Sequence, residues 1–284
     1  MRDEGADLAY GLYQRGLYLS AFAVATRLAL ENNAASQTLL GELYRFGLGV
    51  PRNVETALSW YELGARNGNR DAAFQAGILY LDGLGVEKNQ EKAARYFEQA
   101  AEKGHVLALY NVGLLYLSGD VLEKNPEKAA DALLKSAKLG NHDAQFAIAT
   151  MHSEGKGVAK DEILATLYFG QAARGGHDTA EIEYATRLLK GIGIKSNPHD
   201  AALWFERAAE RGNAIAQNRI AQLYRFAKGV EADPLKAATW HLISKDQGFE
   251  DSSLDAYVKK LEPELRLKAE AAARIWRPVR SPRP

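Results

Sequence analysis

No cysteine occurs among the 284 residues. That absence excludes disulfides, thiolate metal ligands and a cysteine nucleophile in one step. It leaves the compartment open, because a cysteine-free chain tolerates oxidising and reducing surroundings alike. Net charge is missing too: 36 Lys and Arg stand against 36 Asp and Glu, so no overall field draws the chain to nucleic acid or anionic lipid. No long apolar run is present. "LYLSAFAVATRLAL" (17–30), the most apolar stretch, is interrupted by Arg27 and is too short to span a bilayer. "MRDEGADLAY" lacks the basic start and apolar run of a secretory leader, which leaves a cytoplasmic protein or one whose leader has been removed.

Catalytic signatures are absent as well. There is no HExxH, no G-x-S-x-G and no carboxylate pair that stands apart from solvated helix faces. "YLDGLGVEKNQEKA" (80–93) has the glycines and lysines of a phosphate loop. The Walker pattern nevertheless fails, since no glycine lies five before Gly155-Lys156 and no Ser or Thr follows Lys156. His105 and His177 occupy equivalent places two repeats apart, about 20 Å or more through stacked helices and far beyond a shared metal. The sequence therefore predicts no catalytic residues, no metal and no cofactor.

What is present is a period. The glycine pair of 83 and 85 recurs in "RFGLGVPRNVETA" (45–57), "SEGKGVAKDEILA" (153–165) and "LKGIGIKSNPHDA" (189–201), with one-glycine copies at 117–129 and 225–237. Gly68-Asn69, Gly104-His105, Gly140-Asn141, Gly176-His177, Gly212-Asn213 and Gly248-Phe249 recur at the same 36-residue spacing. A fixed period of this length marks a repeat architecture, here six copies from Ala34 to Phe249 without insertion or deletion. Each copy reads as two helices. In the first, a small residue (Gly41, Gly77, Gly113, Ala149, Ala185 or Ala221) lets a neighbouring helix approach. Glycines break it, and Asn53, Asn89, Asn125, Asp161, Asn197 or Asp233 is placed to cap the second. The second helix carries an alanine and then an aromatic at Trp60, Tyr96, Tyr168, Trp204 and Trp240, with Ala132 the exception. The glycine pair is thus an inter-helix turn. His152, where other copies carry tyrosine, reads as a packed histidine.

This pattern, most complete in "AGILYLDGLGVEKNQEKAARYFEQAAEKGH" (76–105), resembles the Sel-1-like repeat, a relative of the tetratricopeptide repeat. The resemblance implies an all-α fold: a right-handed α-solenoid of about sixteen helices in one elongated domain. Residues 1–33 resemble a tetratricopeptide-like pair turning at Gly16, and 34–249 are the six repeats. Residues 250–276 form two capping helices, with Ser252 or Ser253 capping the first and Pro263 opening the second. The tail 277–284 is basic, proline-rich and expected to be disordered.

The resemblance also implies a non-enzymatic scaffold that binds another protein, with the first helix of each pair lining a concave face through the second, fifth, ninth and twelfth positions. By that rule Phe74, Ile78, Leu81, Tyr110, Leu114, Leu117 and Phe146 form an apolar centre, with Arg45 and Arg225 toward polar ends. A peptide or helix is the expected occupant. Phe74, Tyr110 and Phe146 are open to a second reading, as rings packed between helices. A homodimer through the same strip, or through the end helices, is the alternative to a foreign partner. Resemblance to envelope-associated bacterial members points to a bacterial, periplasmic protein, with the cytoplasm as alternative.

Overall fold

A computed structural model describes residues 4–279 of the chain. Among the described residues there are sixteen helices and no strand, and the stacked helix pairs form the expected α-solenoid. The first pair is α1 (Glu4–Gln14) and α2 (Tyr18–Leu30). The repeats follow as α3 (Ala34–Phe46) with α4 (Val54–Arg66), α5 (Arg70–Asp82) with α6 (Gln90–Glu102), and α7 (Val106–Ser118) with α8 (Pro126–Lys138). Then come α9 (His142–Glu154) with α10 (Glu162–Arg174), α11 (Asp178–Lys190) with α12 (Pro198–Glu210), and α13 (Ala214–Arg225) with α14 (Pro234–Asp246). The chain closes with α15 (Ser252–Lys259) and α16 (Pro263–Ile275).

Two compact units divide within α9, Met1–Ala144 and Gln145–Pro284. In the first unit each helix from α1 to α8 packs on the next. In the second, the same holds from α10 to α14, and α14 also packs against α15 and α16.

Side-chain chemistry sets the helix boundaries. The side chains of Asn53, Asn89, Asn125, Asp161, Asn197 and Asp233 each accept a backbone N–H at the start of the second helix of their pair, as the sequence predicted. α15 differs from expectation: its cap is Asp251, whose carboxylate accepts the Ser253 and Leu254 amides. A charged carboxylate one residue upstream outcompetes either serine hydroxyl.

The small residue of each first helix receives a large side chain from the second. Had Gly41 a Cβ, it would sit 2.5 Å from the Tyr61 ring, and the Gly77 and Gly113 equivalents would collide with Phe97 and Leu133. Tyr61, Phe97, Leu133, Phe169, Phe205 and His241 share this register and are all buried. Burying such a side chain contributes about 1.5–3 kcal/mol for the apolar ones. The aromatics the sequence singled out lie one position earlier and are only half-buried.

The end of the chain departs from the expected disordered tail over Arg277–Val279. Trp276 packs edge-on against Trp240 with centroids 5.9 Å apart, and the Val279 amide donates to the Glu210 carbonyl at 2.8 Å. The remainder of the proposed tail, 280–284, lies outside the described residues.

Candidate functional site

In the first unit, α5 presents Phe74, Ile78 and Leu81 at three- and four-residue spacings, and α7 presents Tyr110, Leu114 and Leu117 at the same positions. The two helices are joined near their N-termini, where Phe74 lies against His105, the N-cap of α7, with ring centroids 4.3 Å apart and planes 20° from parallel. Arg70 adds hydrogen bonds to the carbonyls of Lys103 and Gly104.

Phe74 is half-buried, with Phe97 at 5.7 Å on its other side. The second unit repeats the arrangement, placing Phe146 between Phe169 at 5.5 Å and the His177 ring at 4.4 Å. Both phenylalanines therefore pack between helices. Tyr110 is half-buried too, and burial, reinforced by the Asp143 carboxylate, raises its hydroxyl above the ordinary tyrosine range. Ile78 and Leu81 rest against the core of the unit while keeping part of their surface open; Leu117 is half-exposed and Leu114 more so.

The arginines serve neighbouring helices. Arg45 donates to the Gln75 side-chain carbonyl and lies 5.3 Å from the Phe46 ring centroid. Arg225 donates to Ser253 Oγ at 2.8 Å and to its carbonyl at 3.1 Å, with its guanidinium stacked near Phe226 and Tyr257. Arg225 and Phe146 belong to the second unit, so the first-unit cluster comprises Arg45 and the six side chains of α5 and α7.

Sequence reasoning passed over Leu107, which is 46% exposed at the second position of α7 and extends the apolar surface. The positional rule contained it, since the second position was among those assigned inward. The same rule contains Asn218 and Gln222, polar residues at the fifth and ninth positions of the sixth repeat, but not the partner they serve. Both donate to Asp251, at 3.0 and 2.8 Å, and so hold the capping helices. Burial opposes ionisation of Asp251, but the hydrogen bonds it accepts outweigh that penalty and lower its carboxyl below the ordinary range.

The histidines have structural duties. His105 and His177 each accept an amide at Nδ1, from Ala108 and Ala180 respectively, both at 3.1 Å, in place of the asparagine that caps the other first helices of the repeats. Burial lowers the His105 pKa below 6.5 against the pull of Asp71, whose carboxylate is 3.6 Å from Nε2, and Arg70 lowers it further. The folded state therefore binds fewer protons at this site than the unfolded chain. Its contribution to stability is complete above pH 6.5 and declines as pH falls through the depressed value. His105→Asn keeps a capping acceptor and removes the titration. At neutral pH it should cost about 1 kcal/mol through the lost ring stack. From pH 7 to 5 its melting temperature should fall less than that of the wild type; parallel curves would refute the assignment. His152 lies against Tyr168, with centroids 6.4 Å apart and planes 3° from parallel, as a packed histidine should. Among the described residues no group of three or more His, Asp or Glu side chains is arranged to hold a metal.

The Sel1 repeat profile matches residues 34–69, 70–105, 106–141, 142–177, 179–213 and 214–249. A protective antigen of uropathogenic Escherichia coli strains with an SLR fold is similar over 96% of this chain, at 26% identity and a TM-score of 0.75. This chain spans 60% of that antigen's length. A Sel1 repeat protein from Oxalobacter formigenes is similar over 85% of this chain and 99% of its own, at 30% identity and a TM-score of 0.74. No curated protein sequence matches the chain.

Proposed function

Since the chain belongs to the Sel1 repeat family, whose members are in general protein-interaction scaffolds, we propose that its first unit holds a peptide or helix of a partner protein along the shared face of α5 and α7. The carrying observation is the row of incompletely buried apolar side chains on two adjacent helices: Ile78 and Leu81 on one, Leu107, Leu114 and Leu117 on the other. Apolar surface of this kind, left open beside polar neighbours, is what an amphipathic helix or extended peptide covers. Phe74 and Tyr110 supply firm edges, their rings being set by packing. The activity is non-enzymatic adaptation, in a signalling or envelope process of a bacterium. The setting proposed is the periplasm, with the cytoplasm as the alternative.

Leu81→Glu with Leu117→Glu should abolish capture of the partner from envelope fractions. Leu114→Glu, at a more exposed position, should weaken binding of the purified partner at least about tenfold, the equivalent of 1.4 kcal/mol. Circular dichroism checks that each variant remains helical. Unchanged binding by folded variants would remove the partner from this face. Light scattering tests the self-associating reading: a mass independent of concentration is expected, and a dimer dissociated by Leu114→Glu would transfer the strip to a second copy of the chain.

A further inference from the structure

One register of the repeat carries stacked rings. Tyr80 lies against Tyr96 with centroids 5.9 Å apart and planes 7° from parallel, and His152 and Tyr168 make the same pair. In the third repeat the corresponding residues are Tyr116 and Ala132, so the second ring is missing. Its place is open. A cavity of about 580 Å³ among α6, α7 and α8 is lined by both residues. Leu109 and Val112, larger than Ala73 and Ala76 at the equivalent positions, do not close it.

What surrounds the cavity copies what surrounds Tyr96. Lys128 lies 5.3 Å from the Tyr116 ring centroid, as Lys92 lies 4.9 Å from that of Tyr80. Glu62 accepts hydroxyls from both Tyr80, at 2.7 Å, and Tyr96, at 3.1 Å. Glu98, its equivalent, accepts the Tyr116 hydroxyl at 3.1 Å, and Ala132 has no hydroxyl to supply the second. The site thus offers a ring to stack on and a carboxylate within reach of another phenol. Its rim is acidic: Glu98, Glu102, Glu127 and Asp131 face Lys128 and Lys135, and Lys135 is held by Asp131 at 2.7 Å.

We propose that this cavity binds the tyrosine side chain of a partner protein, presented on a basic segment, with the ring in the place of the missing aromatic and the hydroxyl donated to Glu98. The proposal rests on the scaffold reading but uses a cavity among α6, α7 and α8 whose lining includes neither Leu81 nor Leu117. Stacking on Tyr116 supplies attraction and the acidic rim selects lysine or arginine beside the tyrosine.

Methyl NMR of the intact chain, titrated with N-acetyl-tyrosinamide, tests it. Shifts should appear at Ala132, Leu109 and Val112. N-acetyl-phenylalaninamide, lacking the hydroxyl, should bind about tenfold more weakly. Glu98→Gln should weaken the tyrosine probe and leave the phenylalanine probe unchanged. Ala132→Tyr, which restores the ring pair, should abolish the shifts and raise the melting temperature. A blocked Lys-Lys-Tyr-Lys-Lys peptide should bind at least about tenfold tighter than the single residue, with the difference lost at high salt. Absence of shifts, or shifts that persist in Ala132→Tyr, would overturn the site. A peptide no tighter than the blocked tyrosine would overturn the assignment to a protein partner. Leu81→Glu/Leu117→Glu should leave all these titrations unchanged, so failure of the α5/α7 face and failure of this cavity are separately visible.

Discussion

Gly193→Ala and Gly229→Ala are each expected to cost about 3–5 kcal/mol of unfolding free energy, the sum of left-handed strain and a backbone collision. Both glycines are the second of the inter-helix turn and have φ of +65° and +78°. A Cβ on Gly193 would land on the Glu162 carbonyl, and one on Gly229 on the Pro198 carbonyl. Glu162 and Pro198 are the first residues of α10 and α12, so each turn presses on the preceding repeat's second helix. Gly85 meets Val54, at the start of α4, in the same register. A backbone carbonyl cannot rotate aside as a side chain would, so relief requires moving one repeat against the next. The Thr166 hydroxyl donates to the Ile192 carbonyl at 2.8 Å, a bond that such a movement would break.

Two controls separate strain from collision. Gly191, the first glycine of the same turn, has φ of +73° and only the Ser196 side chain and nearby backbone at 3.3 Å, so Gly191→Ala should cost about 1–2 kcal/mol. Ala227 occupies the equivalent place in the sixth repeat with φ of +51°, and Ala227→Gly should stabilise by about 0.5–1 kcal/mol, strain relief less the entropy of glycine. Urea unfolding followed by circular dichroism gives the order. If Gly193→Ala costs no more than Gly191→Ala, the second glycine is a turn residue alone.

The period, the helix pairs and their asparagine caps were legible in the sequence because each depends on residues close in the chain. The second glycine was legible only as a turn, since its partner lies 31 residues earlier in another repeat. The resemblance to the repeat family placed Ile78 with Leu81 and Leu114 with Leu117, but no local pattern shows that His105 covers Phe74 or that Asp251 engages Asn218 and Gln222. Ala132 was visible as a break in the aromatic register. That the break leaves a cavity depends on how far Leu109 and Val112 reach, which spacing does not specify.

Buried charge was the least legible feature, and it carries the second large effect. Glu181 is fully buried on α11, where a solvated carboxylate would be the ordinary reading. It is ion-paired with Arg211 and, at 3.3 Å, with the half-exposed Arg207. Thirty residues separate Glu181 from Arg211. The same separation joins Gln37 to Asn67 and Gln217 to Gln247, each through a 2.8 Å side-chain hydrogen bond. One register position therefore holds a polar pair in the first, fifth and sixth repeats, ionic in only one.

Arg211→Ala should cost about 3–5 kcal/mol, because it leaves a buried carboxylate with one partly solvated partner. Replacing both, Glu181→Gln with Arg211→Gln, copies the sixth-repeat pair and should return stability to within about 1 kcal/mol of the wild type, since a neutral pair avoids the desolvation of two charges. The coupling between the two sites, read from the double-mutant cycle, should be several times that of an exposed salt bridge. A double variant as unstable as Arg211→Ala would mean that the fifth repeat needs its charges for packing that glutamine cannot reproduce. A single variant close to wild type would mean that water reaches Glu181 once the arginine is gone, and that this position tolerates a lone charge where its neighbours in the register use amides.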